Sequence, residues 1–279
     1  MATTTLTAFL AKFNNLTGDN LSGTTDSAGN VAKTTFIDSA LSKYDDNYFG
    51  DPERNPQWWA YIASELRSIK GFTSSSGTVE VHKAFTSQVG TATAYQIHKY
   101  DRDKKIIACN QALNECYPHF YKRIEDATTL DGKGASDNKY TVPVTFTEFP
   151  CQIWSIDDDG TEIVRTLITN YQIEEIGGLL YFYANITEDE DILLIGKKPL
   201  TAFTTDASTT ELSDLQAETV ALLAVSIFFR NLSGVVNATD SGRFDSLANR
   251  YQMMYEDKRI TTAMPVIQTY PNWEWANEG

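Results

Sequence analysis

Three histidines, His82, His98 and His119, and three cysteines, Cys109, Cys116 and Cys151, are the side chains here best suited to moving protons or holding a metal near neutral pH. Their spacing joins none of them into a known constellation. His82 and His98 fall in segments of alternating polarity and His119 follows Pro118, positions that suit structural or surface histidines. Cys109 and Cys116 stand seven apart in a segment of helical pattern, without the close pairing that zinc needs, so they read as small buried hydrophobes. An odd number of thiols with no secretory leader points to reduced cysteines rather than a disulfide framework. There is no G-x-S-x-G, no phosphate loop ending in Lys-Ser or Lys-Thr, no HExxH and no CxxC.

The acidic clusters yield no clearer chemistry. Asp157-Asp158-Asp159-Gly160 resembles the start of a calcium loop, but with Gly160 at the sixth position the twelfth falls on Thr166, where a bidentate Glu is required; it reads as a hairpin turn. Glu188-Asp189-Glu190-Asp191 reads as a solvated connection. An enzyme working through Glu174, Glu175 or Asp189 would need an acid-base partner that the sequence does not supply. Catalytic residues, metals and cofactors are therefore not expected. Trp58 and Trp59 suit a core, whereas Trp273 and Trp275 alternate in a Pro-containing terminal segment, where docking into a partner groove is the better reading.

The elements that must position these residues follow from periodicity. Apolar residues at helical spacing predict helices over roughly 36–47, 56–70, 104–125, 213–232 and 241–258, with Pro118 kinking or breaking the third and a Ser213/Gln216 capping box opening the fourth. The fifth should turn Phe244, Leu247, Tyr251 and Met254 to one core. Residues 78–85 and 91–98 alternate as two strands joined by a short connection, and 140–200 reads as a compact antiparallel β region. The fold class expected is α+β: a helical core over 35–139 and 205–260, a β module over 140–204, and an extended tail over 261–279. Residues 1–34, rich in Thr, Asn, Gly and Ser, read as a flexible or partner-ordered arm.

With 279 residues and 42% hydrophobic content there is material for a large core. A net charge of -14 argues against a surface that grips nucleic acid, although negative walls would let DNA slide past. The opening MATTTLTAFL lacks the features of a signal peptide, and Val220–Phe229, the most apolar stretch, is too short to span a bilayer, so no membrane partner is expected.

Several stretches, in order, resemble a known family. FGDPERNPQWW, SIKGFTSSSGTVEV, NQALNECYPHFYKRIED, KYTVPVTFTEFPCQIWSI, the pair LLYFYANI and DILLIGKKPL, the helices ELSDLQAETVALLAVSIFFRNL and RFDSLANRYQMMYEDKR, and a Pro-aromatic tail are similar to the head-to-tail connector, or adaptor, proteins of tailed bacteriophages. The resemblance spans about residues 36 to 275. It implies a ring subunit, commonly of a dodecamer, at the head-tail junction of a virion assembled in the bacterial cytoplasm. The implied partners are the portal protein, a neck or tail-terminator protein, further copies of the chain, and DNA passing without sequence-specific contact. Carried onto this sequence, Pro265, Val266, Ile267, Tyr270, Pro271, Trp273 and Trp275 would form a portal-docking tail, and Val220, Leu223, Ile227 and Phe228 the ring-scaffold helix. Other readings are a tail terminator or another neck or tail protein, and a host-surface carbohydrate-binding module stacking Trp58, Trp59, Trp273 and Trp275 on sugars.

Overall fold

Leu6, Phe9, Leu10 and Phe13 recur at helical spacing, and in the computed structural model they are the buried face of α1 (Leu6–Thr17), which follows the short strand β1 (Thr4–Thr5). Thr5 caps the helix by accepting the Ala8 N–H, and Gly18 closes it at φ +67°, a left-handed conformation that costs glycine nothing. The structure describes residues 2–19, 21–50, 58–134, 137–158, 162–188, 190–235 and 238–267. The arm expected over 1–34 is thus corrected for its described residues: burial of Phe9 and Phe13 repays the ordering of α1, and β2 (Leu21–Thr24) joins a sheet.

That sheet also contains β3 (Thr35–Ile37), β4 (Trp59–Ile62), β5 (Glu65–Thr73), β6 (Thr78–Val81) and β7 (Ala94–His98), all antiparallel, in the order β2-β7-β4-β5-β6-β3. Its ends meet just beyond β2. The Asp26 N–H donates to the Ile37 carbonyl at 3.1 Å and Ser27 bridges Ile37, so the six strands close into a barrel. Phe36, Ile62, Ile69, Val79, Val81 and Ile97 fill its interior.

Two helices expected here, 36–47 and 56–70, are not formed. Phe36 is the centre of β3, and Asp38 then caps only a 3-10 turn at Ser39–Lys43. Beneath that turn Gly77, at φ +63°, lets the chain pass where a Cβ would sit 2.0 Å from the Asp38 carbonyl oxygen. Trp59–Ile62 and Glu65–Thr73 form a hairpin whose two loop residues, Ala63 and Ser64, have φ of 50° and 63°, as in a primed turn. Ala60 and Ile62 point inward while Trp59 and Tyr61 are half-buried, so a period of two replaces the three-to-four spacing that Trp58, Ile62, Leu66 and Ile69 suggest. The expected strands at 78–85 and 91–98 exist as β6 and β7, but they pair with other strands, not with each other.

The barrel belongs to a compact unit made of Ala2–Ala112 and Phe203–Lys258. Its helices besides α1 are most of α2 (Arg102–Glu115), α3 (Asp214–Ser233) and most of α4 (Ala238–Thr262). The capping box of α3 is formed: Ser213 accepts from Gln216 N–H while Gln216 Oε1 accepts from Ser213 N–H. Phe228 sits edge-on to Phe13 and Tyr100, and Phe229 stacks on Phe244 and Tyr251 of α4. The buried face of α4 centres on Ala248 and Tyr255, and Met254, expected on it, is 41% exposed.

The second unit comprises Leu113–Ala202 and the chain from Arg259 on. The helix expected over 104–125 ends at Glu115, three residues before Pro118, whose peptide bond with Tyr117 is cis, and β8 (Lys122–Asp126) follows. The remaining strands are β9 (Lys139–Thr141), β10 (Gln152–Asp158), β11 (Ile163–Ile168), β12 (Gln172–Ile176), β13 (Leu179–Tyr183) and β14 (Asp191–Lys198). They make two antiparallel sheets, β11-β10-β14-β8 and β12-β13-β9, around one core that includes Tyr140, Ile153, Phe182, Ile192 and Leu194. In the first unit, β15 (Thr209–Thr210) pairs with β1. The chain is therefore mixed α+β with several antiparallel sheets.

Candidate functional site

Polar chemistry in the first unit concentrates where α1, β7 and α2 meet. Lys105, on the inner face of α2, is fully buried and places its Nζ 2.6 Å from Asp19 Oδ2, 2.7 Å from Asn14 Oδ1 and 3.3 Å from His98 Nδ1. Asp19 also accepts the backbone N–H groups of Lys99 and Tyr100. Burial, with the Lys105 cation beside it, pushes His98 down to about 4, so at neutral pH its imidazole is uncharged. Burial likewise lowers Lys105, opposed by Asp19. Each charge has a partner, and the arrangement can fix the chain where α1 ends and β7 ends.

Beside it, an open polar cleft of about 610 Å³ is lined by Tyr61, Glu65, Arg67, Arg102 and Asp206 among others. The Arg102 guanidinium lies 4.2 Å over the Tyr61 ring and donates to Asp206 at 2.6 Å, and Tyr61 also donates to Asp206. Burial would raise the Asp206 carboxyl, but the bonds from Tyr61 and Arg102 outweigh it and hold the group below its ordinary range. On the other side of the cleft Arg67 pairs with Glu65. Among the described residues, no group of three or more His, Cys, Asp or Glu is placed to hold a metal ion.

Both units leave some apolar groups outward, the first at Val31, Ile107, Leu215, Val235 and Met253 and the second on its strands. Ile163 and Val164 of β11, Ile176 of β12 and Leu179 of β13 are exposed, and β11 and β12 each end their sheet. Past α4, the chain is first held and then released. The Met264 N–H donates to the His119 carbonyl, Tyr121 donates to the Pro265 carbonyl at 2.7 Å, and Arg259 donates to the His119 ring. Val266 is then 86% exposed and Ile267 half-buried.

The residues singled out from sequence are thus scattered. Val220, Leu223, Ile227 and Phe228 all lie in the core of the first unit, buried between α1 and α4. By length and composition α3 is apolar enough to cross a membrane, but 67% of that window is buried among the helices around it. Pro265, Val266 and Ile267 lead out of α4, while Tyr270, Pro271, Trp273 and Trp275 lie outside the described residues. His82 is exposed, and the three cysteines are buried and unbridged, with burial pushing the Cys116 thiol up to about 12. Trp58 belongs to an aromatic cluster, tilted against Tyr48 and edge-to-face with Phe49. Sequence reasoning missed the Asp19–Lys105–His98 cluster. Its one signal is a lysine at helical spacing from Ala108, Cys109 and Ala112, a charge inside an apolar stripe. The open edges had no signal, because only the sheet order decides which strand is last.

No protein-family model matches this chain, and no curated protein matches it.

Proposed function

We propose that this chain is a non-enzymatic structural subunit of a phage virion, forming a ring at the head-tail junction that docks on the portal protein and joins it to the neck or tail. The ring, a dodecamer by the resemblance, would give DNA a channel. The observation that carries the reading is the segment after α4. It is anchored through Met264 and Pro265 and then exposed at Val266, with Tyr270, Pro271, Trp273 and Trp275 still to come in the sequence. An apolar Val266 left exposed just past a firm anchor suits a docking arm, because exposing it repays its cost only on a partner. The net charge of -14 suits a conduit that repels phosphates.

The test is the mass of the purified protein alone and after mixing with portal-bearing, DNA-filled capsids, for the full chain and for a chain ending at Ile267. The full chain is expected as a ring at the capsid vertex. The shortened chain should stay folded and fail to join, since the described contacts of the anchor are kept. A full chain that ignores capsids sinks the proposal.

A further inference from the structure

In the second unit, two strand edges carry complementary chemistry, and nothing among the described residues covers either: β11 ends one sheet and β12 the other. An edge strand leaves alternate N–H and C=O groups without a ladder partner, satisfied only by water until another strand arrives. Proteins usually blunt such edges with lysine, proline or a bulge. β11 reads Ile163-Val164-Arg165-Thr166-Leu167-Ile168, without Lys or Pro, and its pairing to β10 runs in continuous register, so its outer edge is ready to pair. Its one charge is Arg165, exposed on the strand, while β12, Gln172-Ile173-Glu174-Glu175-Ile176, carries two carboxylates and no cation; Glu174 accepts from Tyr183 and lies 3.8 Å from Lys139 Nζ, yet stays exposed enough to take a second cation.

One antiparallel register satisfies both strands at once. Setting Arg165 opposite Glu174 also sets Ile163 opposite Ile176 and Leu167 opposite Gln172. The faces agree as well. Ile168 and Ile173 pack against the core, so Ile163, Arg165 and Leu167 share the outer face of β11, and Gln172, Glu174 and Ile176 that of β12. A slip of one residue would turn every side chain to the wrong face. β12 against β12 would crowd glutamates, and β11 against β11 would give Arg165 no carboxylate across the seam.

We propose that β11 of one copy adds antiparallel to β12 of a second copy, Arg165 opposite Glu174 and Ile163 opposite Ile176, so that neighbouring copies share a continuous sheet. Two different edges meet, so each copy offers one edge to each neighbour, the head-to-tail arrangement that a closed ring requires. The inference rests on the ring reading above and names the seam of that ring.

The test uses Ile163→Cys and Ile176→Cys, made as separate full-length variants, since the native cysteines are buried. They are mixed under mild oxidation, free and on portal-bearing capsids, while mass reports assembly. A covalent dimer is expected in the mixture and not in either variant alone, because opposed cross-strand positions lie within disulfide reach. Adding Arg165→Glu to the Ile163→Cys variant should lose the dimer, and Glu174→Arg in the partner should restore it, with unchanged circular dichroism showing both variants folded. A dimer from Ile163→Cys alone means β11 pairs with itself and overturns the proposal. Assembly without the mixed dimer overturns this seam and leaves the ring standing; no assembly, free or on capsids, overturns both.

Discussion

The barrel of residues 21–98 and the two sheets of residues 122–198 are both antiparallel, yet they treat their edges in opposite ways. In the barrel, Asp26 and Ser27 carry the end of β2 onto Ile37, so both outer strands are paired and Phe36, Val79 and Ile97 are sealed inside. In the sheets, β11 and β12 stay open, with Ile163 and Ile176 on their outer faces and Val164 half-exposed on the inner one. Charge follows the same division. Beside the barrel, Lys105, Asp19 and His98 are buried and mutually satisfied, whereas Arg165 and Glu175 are exposed and Glu174, itself exposed, accepts from Tyr183 and meets Lys139. A closed edge contributes to the stability of its own chain, and an open one is available to another, so on the proposal above the barrel is the foundation and the open sheet edges are the contact.

The strongest way to break this contrast is Lys105→Met, which leaves Asp19 buried opposite an apolar chain. Removing one partner of a buried pair costs about 3–5 kcal/mol. Hydrogen exchange should show that loss of protection in α1, β7 and α2, with the β10–β14 ladder unchanged because those strands lie in the separate compact unit. Equal loss in both regions would end that division of labour.

Acid tests the same cluster through a different group. In the folded protein His98 is held near 4, below the ordinary value of 6.5, so it takes up a proton more readily when unfolded. Its contribution is therefore fully present above pH 6.5 and lost as pH falls from 6.5 towards 4. The loss is at most about 3 kcal/mol over that window. The upper half of the window lies above the range where carboxylates titrate, so barrel amides measured at pH 6.5 and 5 should lose protection in the native chain and markedly less in His98→Gln. A pH-independent barrel would mean that His98 is not held neutral by Lys105 and its burial.

Periodicity made α3 legible in the sequence because Ser213 and Gln216 announce its start and because a helix buried nearly all round needs no choice of face. The β region at 140–200 was legible from its alternation, which β12 itself follows only weakly because Glu174 and Glu175 stand side by side. The barrel was not. Trp58, Ile62, Leu66 and Ile69 fit a helix as well as a strand, and the Ala63-Ser64 loop lacks the Asn-Gly signature that would mark its primed turn. Closure depends on Asp26 and Ser27 meeting Ile37, a contact between segments ten residues apart that no local pattern encodes. For the candidate site, the anchor of the tail by Tyr121 and His119 was equally invisible, since it joins residues more than 140 apart.

The smallest effect sharpens the contrast most. Ile163 is 58% exposed at the end of β11, and within one chain its side chain contributes little burial, so Ile163→Ser should change stability by less than about 0.5 kcal/mol. An isoleucine that could be replaced so cheaply is poorly explained by folding. A serine there removes apolar area from the edge while keeping the strand's backbone, so unfolding by urea should be near-native while self-association, followed by mass against concentration, weakens. If instead Ile163→Ser destabilises the isolated chain as a core substitution would, by several kcal/mol, then β11 is an internal strand, and the open edge belongs to the description of the fold rather than to its work.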